Sequence, residues 1–389
     1  MKSITTIRPS QVGKLNERQV LRLLQSEGPL SRAELVRLTG LSAPTISKAV
    51  ASLLNLGLLE EMVAIDAARG RPAPRLRLAS LSVQVLGIAI DAGHCEIAAA
   101  GLDGELSSHF CDSFPTPAGY DELVNLLAAK SRELIDRPDI TTLGIGISLP
   151  GLVDDRHGRG VLSPNVPITN GRTPAADLAE RLGIDCVLFQ ESHALCLAEL
   201  HHGQARGLSD FAMLDVGAGV GLGVVSGGHL LKGHSGLAGE MGHITAVAKD
   251  GLPCGCGNRG CLETVVSDRA LAARVSARLG RTVTIDEVID IAKANRVAIA
   301  SELDEIATYL AIAIAAVVNL FNPATLFIHA RLFEVDEMLF DDVVARAKQR
   351  SLPPSFAQCQ VVRAKGSKCQ GAVAGIVQHL TNAIAADVG

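Results

Sequence analysis

Three thiols and an imidazole lie close together along the chain. His243 is followed by Cys254, Cys256 and Cys261, the last three inside Pro253-Cys-Gly-Cys-Gly-Asn-Arg-Gly-Cys-Leu-Glu263. Thiolates and an imidazole at this spacing are the ligand set of a tetrahedral zinc ion. Glycines at 255, 257 and 260 give the loop the backbone freedom to turn its sulfurs toward one point. Four protein ligands leave no position for an activated water, so the pattern predicts a structural Zn2+ and not a catalytic one.

Such a loop needs a frame. From Gln84 onward, strand-like runs at Val85–Ile90, Ile97–Leu102, Thr142–Ser148 and Asp185–Phe189 alternate with helical patterns over Tyr120–Ile135 and up to Glu199. Phe211–Val216 and Val220–Val225 read as a hairpin joined by Gly217-Ala-Gly. Strands alternating with helices define an α/β class. The plan recurs in two halves, which predicts two lobes with a ligand cleft between them.

The first eighty residues follow another plan. Asn16–Gln25 has helical spacing, Ser31 and Glu34 form a capping-box pair, Gly40 ends the second helix, and Ser42 with Pro44 opens a third. Ile46, Val50, Leu53 and Leu54 give that third helix an inner face; Thr45, Ser47, Lys48 and Ser52 lie largely on the other side. Two strand-like runs, Leu58–Ile65 and Pro74–Leu78, flank Ala68-Arg-Gly-Arg-Pro-Ala73. The order predicts a winged helix-turn-helix over 1–80. Ser42, Thr45, Ser47 and Lys48 are the candidates for the major groove, and Arg69 and Arg71 for the minor groove.

Composition agrees. The 389 residues carry a net charge of -5, yet residues 1–80 hold 12 Lys+Arg against 6 Asp+Glu, so the remainder is strongly acidic. Only the first module is suited to a polyanion. No apolar run reaches membrane-spanning length, Leu310–Leu320 being too short, and the N-terminus lacks a secretion signal. Six of the nine cysteines are scattered outside the cluster, which fits free thiols in a reducing cytoplasm.

Leu149-Pro-Gly, Asp215-Val-Gly-Ala-Gly-Val-Gly-Leu-Gly223, Ala238-Gly-Glu-Met-Gly-His243 and the cysteine run ending at Glu263 together resemble the ROK family, which contains repressors and sugar kinases. The likeness covers about residues 84–389. It implies an actin-like (ribonuclease-H-like) two-lobed body over 81–389, with lobe one about 81–200 plus the C-terminal helix and lobe two about 201–365. It also implies a bound zinc and a sugar in the cleft. By motif, Glu240, His243 and Glu263 match the family's sugar contacts and Asn165 an Asn near the sugar. Gln190, Glu191 and His193 occupy the element that carries the catalytic base in its kinases. Carboxylates accepting from pairs of hydroxyls suit a polyol.

Kinases of the family also imply phosphate loops that this chain lacks. Asp-x-Gly-Gly-Thr is here Asp91-Ala-Gly-His-Cys95, Ala218 replaces a Thr, and His329 and Ala330 replace a Gly-Gly pair. The base position is Glu191 in place of Asp. Phosphoryl transfer rests on positioning, so four departures argue against it. The expected function is a sugar-responsive, DNA-binding repressor that is not an enzyme. Its expected partners are operator DNA and a sugar or sugar-derivative effector; it forms a homodimer, with tetramer formation open, and has no membrane role. The alternatives are a sugar kinase with a fused DNA-binding module and a zinc-dependent regulator that binds a protein partner. A ligand is expected to close the lobes.

Overall fold

The computed structural model describes residues 9–62, 74–154, 156–294 and 299–386. The N-terminal module runs α1 (Pro9–Glu27), β1 (Leu30–Ser31), α2 (Arg32–Thr39), α3 (Ala43–Asn55), β2 (Leu59–Met62) and β3 (Arg75–Leu78). The Ser31 hydroxyl accepts from the Glu34 amide while the Glu34 carboxylate accepts from the Ser31 amide, so the capping box closes as the spacing predicts. Gly40 ends α2, and Ser42 caps α3. Ile46, Ala49, Val50 and Leu53 are buried on the inner face of α3. β1, β3 and β2 form a small antiparallel sheet. Two residues carry no alternation, which is why β1 has no signal in the sequence. Arg69 and Arg71 lie outside the described residues.

Lobe one contains β4 (Val83–Ile90), β5 (His94–Ala100), β6 (Leu106–Pro115), α4 (Tyr120–Ile135), β7 (Thr141–Leu149), β8 (Leu152–Asp154), β9 (Arg159–Leu162), α5 (Pro174–Leu182), β10 (Cys186–Gln190) and α6 (Glu191–His201). Its main sheet has the order β10-β7-β4-β5-β6, with β7 parallel to both β4 and β10. β6 is missing from the sequence reading because Leu106–Pro115 is largely polar; it forms by pairing with β5 along an edge.

Lobe two contains β11 (Phe211–Val216), β12 (Val220–Ser226), β13 (His229–Leu230), α7 (Glu263–Val266), α8 (Asp268–Leu279), α9 (Ile285–Lys293), α10 (Ala300–Phe321), β14 (Thr325–Ala330), α11 (Leu339–Arg350), α12 (Pro353–Ala357) and β15 (Gln360–Arg363). Its sheet has the order β13-β12-β11-β14-β15. With 22 residues, α10 is long and apolar enough to cross a membrane, which corrects the shorter run read from the sequence. Leu303, Ile306, Leu310, Ile314 and Val317 bury its inner face in the core of lobe two, and that burial accounts for its composition.

The last helix, α13 (Lys368–Ala386), returns to lobe one and packs on β4, β7 and α6. Gly146 in β7 lets it approach, since a Cβ there would lie 1.9 Å from the carbonyl oxygen of Ala372. Farther along, Val373, Ile376 and Val377 of α13 share one buried cluster with Leu21, Leu24, Leu53 and Leu76 of the N-terminal module. Arg18 and Arg22 of α1 both donate to Asn382 Oδ1. The N-terminal module is therefore seated on lobe one through α13. Adding a methyl at the β7 contact, Gly146→Ala, is expected to destabilise the chain by about 1–3 kcal/mol through overpacking. A urea midpoint equal to wild type would contradict so close an approach.

Candidate metal centre and ligand cleft

Between β13 and α7 the chain makes a long irregular excursion, pinned by bridges pairing Thr245 with Cys261 and Pro253 with Arg259. His243 ends a single 3-10 turn, Met241–His243. The excursion gathers one ligand atom each from His243, Cys254, Cys256 and Cys261 within 4.8 Å of one another. Cys256 Sγ lies 3.7 Å from Cys261 Sγ, and Cys254 Sγ lies 3.5 Å from His243 Nδ1. A tetrahedral zinc with sulfurs at about 2.3 Å has edges of about 3.8 Å, so the donor set fits the ion. Gly257 and Gly260 have φ of 92° and 71°, values that favour glycine. Gly255 serves differently, since a Cβ there would meet the Pro164 side chain at 2.8 Å. Burial pushes the Cys254 thiol up, with Glu263 adding to it. At Cys256 burial also raises the value, but bonds from the Asn258 backbone and the neighbouring thiols outweigh it and hold the group low.

The imidazole of His243 faces two ways. Nδ1 points to Cys254, while Nε2 lies 3.8 Å from Glu240 Oε2. Beyond it opens the cleft, lined by Asn165, Gln190, Glu191, Glu240, His243 and Glu263 together with the Gly219-Val-Gly turn. Gln190 Nε2 donates to Glu240 Oε1 at 3.0 Å, and Cys254 Sγ donates to Glu263 Oε1 at 2.9 Å. Asn165 Oδ1 accepts from Arg269. Burial raises the Glu240 carboxyl, with His243 pulling against it. His193 does not line the cleft: it is buried on α6, two residues beyond Glu191 and so about 200° around the helix. The free space is ≈ 20 Å³, about enough for one water. A wider hollow of ≈ 510 Å³, lined by Tyr120, Arg172, Asp177 and Arg181, lies elsewhere and holds none of these residues.

Behind Glu191 stands a group that the sequence reading missed. Lys368, the first residue of α13, places Nζ 2.6 Å from Glu191 Oε2, 3.1 Å from Asp91 Oδ2 and 3.5 Å from Asp215 Oδ2. Burial disfavours its charge, but Asp215, Glu191 and Asp91 outweigh that and hold it protonated. Burial pushes Glu191 up to about 7, against the pull of Lys368 and with the push of Asp215 and Asp91. His329 sits 2.7 Å from Asp215 through Nδ1, and that carboxylate overcomes burial to raise its value. Arg331 Nη2 bonds Asp286 Oδ1 at 2.6 Å. Lys368 stands in Ala364-Lys-Gly-Ser-Lys-Cys369, which has no motif, and its carboxylates come from three distant segments.

On the N-terminal module, Ser47 and Lys48 are exposed on α3, and Thr45 is half-buried. Ser42 is exposed, but its hydroxyl accepts from the Thr45 amide and lies 2.8 Å from Thr45 Oγ1. Ser47 and Lys48 are thus the side chains of this helix left without such local bonding duties among those predicted to meet DNA.

The sequence matches the ROK family over residues 87–379 and the MarR family over residues 14–69. It is 27% identical to the xylose repressor of Bacillus spizizenii over 88% of each chain. It is 28% identical to the transcriptional dual regulator NagC of Escherichia coli, over 91% of this chain and 89% of that one. A solved ROK family transcriptional regulator, a homologue of the Escherichia coli Mlc protein, superposes with a TM-score of 0.80 at 26% identity, covering 97% of this chain and 99% of the other. A ROK family glucokinase from Streptomyces griseus, solved with glucose and AMPPNP, shares the fold with a TM-score of 0.67 at 22% identity over 75% of this chain and 98% of its own.

Metal analysis of the purified chain is expected to find one zinc per molecule, with Cys256→Ser lowering both the zinc content and the melting temperature. Free zinc at a thousand times its Kd adds about 4 kcal/mol to stability, which sets the scale of the loss. A metal-free chain that melts unchanged would remove the metal from the fold. Asp268 gives a pH test. It is buried with Oδ1 unpaired, and burial pushes its carboxyl from 3.8 up to about 7. Within that window the native state keeps a proton the unfolded chain has lost, so stability falls as pH rises and the penalty is complete above it. Asp268→Asn is expected to stabilise the chain at pH 8, on the order of 2 kcal/mol, with little effect at pH 4. Equal gains at both pH values would assign the effect to packing instead of charge.

Proposed function

This chain belongs to the ROK family, and we propose that it is a sugar-responsive, DNA-binding transcriptional regulator of the repressor kind. One observation carries the reading. A helix-turn-helix is seated through α13 on a body whose cleft is walled by hydroxyl-accepting side chains. The xylose repressor and NagC match across both parts.

Glu240, Glu263 and Asn165 offer acceptors for paired hydroxyls, with Gln190 holding Glu240 in place. His243 would ligate a structural zinc through Nδ1 and meet the sugar through Nε2. Metal binding requires the Cys254 thiolate, and loss of that proton removes the bond now donated to Glu263, turning its carboxylate toward the ligand. The ion thereby shapes the pocket without taking part in a reaction. Ser47 and Lys48 on α3 would enter a major groove, with Arg69 and Arg71 near the adjacent minor groove. A two-fold dimer places two such helices on two half-sites. Thiol ligands and a DNA partner both suit the cytoplasm.

Phosphorylation of the sugar is the alternative. Lys368 and His329 both pair with Asp215 in β11, so that carboxylate already has two partners. Glu191 is likewise tied to Lys368, which leaves it poorly placed to take a hydroxyl proton. We assign the chain no kinase activity.

Duplex DNA selected from a random pool by the wild-type chain provides a probe. Its affinity is expected to change at least tenfold on adding xylose, glucose or N-acetylglucosamine. Ser47→Ala with Lys48→Ala is expected to weaken binding at least tenfold. Failure to enrich any sequence would end the DNA-binding reading. Turnover of ATP with any of these sugars, abolished by Glu191→Gln, would favour the kinase.

A further inference from the structure

The charge junction behind the cleft joins both lobes to the last helix. Asp91 follows β4 in lobe one, Glu191 opens α6 beside the ligand cleft, Asp215 lies in β11 of lobe two, and Lys368 begins α13. Glu191 belongs to both places: it lines the cleft and holds Lys368 at 2.6 Å. The other end of α13 holds the DNA-binding module. Asn382 takes both arginines of α1, and Val373, Ile376 and Val377 join its hydrophobic core. A helix of 19 residues spans about 28 Å as one hydrogen-bonded rod.

We propose that Lys368 is the coupling residue of the sensor: its ammonium reads the state of the cleft through Glu191, and α13 carries that state to α1. The proposal rests on the reading of the chain as a sugar-responsive regulator and names how the response is transmitted. Its physical basis is competition for one carboxylate. Glu191 is one of the walls of the cleft, so a sugar seated there meets the same carboxylate that Lys368 holds. A sugar hydroxyl that donates to Glu191 competes with Lys368 for that carboxylate and leaves the ammonium shared between Asp91 and Asp215, one on each lobe. A buried ammonium follows its counter-charges because an uncompensated charge is costly in the interior. Lys368 starts α13, so a change in its position is a change in the N-terminus of that helix. The α13 packing is close at Gly146 and at Gly371, where a Cβ would meet the carbonyl oxygen of Ala194 at 2.0 Å, so the helix moves as a body and not by bending around soft contacts. Only a difference in ligand affinity between the two arrangements shifts their populations, and Glu191 supplies that difference.

The test separates binding from transmission. Wild type, Lys368→Met and Lys368→Arg are each titrated with xylose, glucose and N-acetylglucosamine by calorimetry, and then with the selected DNA in the presence and absence of whichever sugar binds. Lys368→Met is expected to bind sugar within about fivefold of wild type, while the sugar-dependent change in DNA affinity falls from tenfold or more to less than twofold; Lys368→Arg, which keeps the charge, is expected to restore most of the response. Asn382→Ala, at the far end of α13, provides a second variant should Lys368→Met fail to fold. It is expected to leave sugar affinity unchanged and to reduce the DNA response at least threefold. Hydrogen exchange over α1 is expected to change with sugar in wild type and to stay constant in Lys368→Met. A wild type that binds DNA identically with every sugar overturns the sensor reading itself. A responsive wild type whose folded Lys368→Met, or Asn382→Ala, responds equally overturns the coupling role alone.

Discussion

A buried ammonium must find counter-charges, and much of this molecule is arranged around how Lys368 finds them. Its three carboxylates come from the turn after β4, the start of α6 and the interior of β11. Two belong to lobe one and one to lobe two, so the pairing holds the lobes in register at the base of the cleft. Taking any of these charges out of water singly would cost several kcal/mol. Grouped, they satisfy one another, and His329 completes the set by pairing with Asp215. The same geometry fixes where α13 begins, and therefore where the N-terminal module sits.

The His243 and cysteine cluster and the charge junction both border the cleft and work by different chemistry. Three thiols and one imidazole nitrogen hold a loop that has almost no regular secondary structure, so the loop depends on its ligand set for shape. The far nitrogen of the same imidazole reaches toward Glu240 in the cleft. Glu191, another residue of the lining, carries the cleft into the junction. The fold shared with a sugar kinase does not by itself predict phosphoryl transfer. A shared fold does not fix the chemistry that it carries.

Much of the fold was legible because local rules and tertiary packing agree. The Ser31–Glu34 box, the cap at Ser42, the hairpin at 211–226 and α4 at its full extent all follow from spacing and turn chemistry. β6 and β1 were not legible, since one is polar and the other two residues long; both exist only because a neighbouring strand offers hydrogen-bonding partners. The candidate site was legible where its residues are sequence neighbours. His243 and the cysteines form one cluster, and Gln190 and Glu191 sit together at a strand-to-helix junction. His193 was misplaced because nearness in sequence does not tell which side of a helix a residue occupies.

The sequence by itself determined the His243 and cysteine cluster that could hold a metal, the helix-turn-helix and the α/β class. Each rests on residue type at short spacing, and short-range geometry is fixed by backbone stereochemistry. Only the tertiary structure decided that Lys368 joins Asp91, Glu191 and Asp215, that His243 divides its two nitrogens between thiols and cleft, and that α1 rests on the end of α13. Those partners lie up to 364 residues apart. A single lysine in a sequence carries no mark of its counter-charge, because the energy that selects the partner arises only when both are removed from water together.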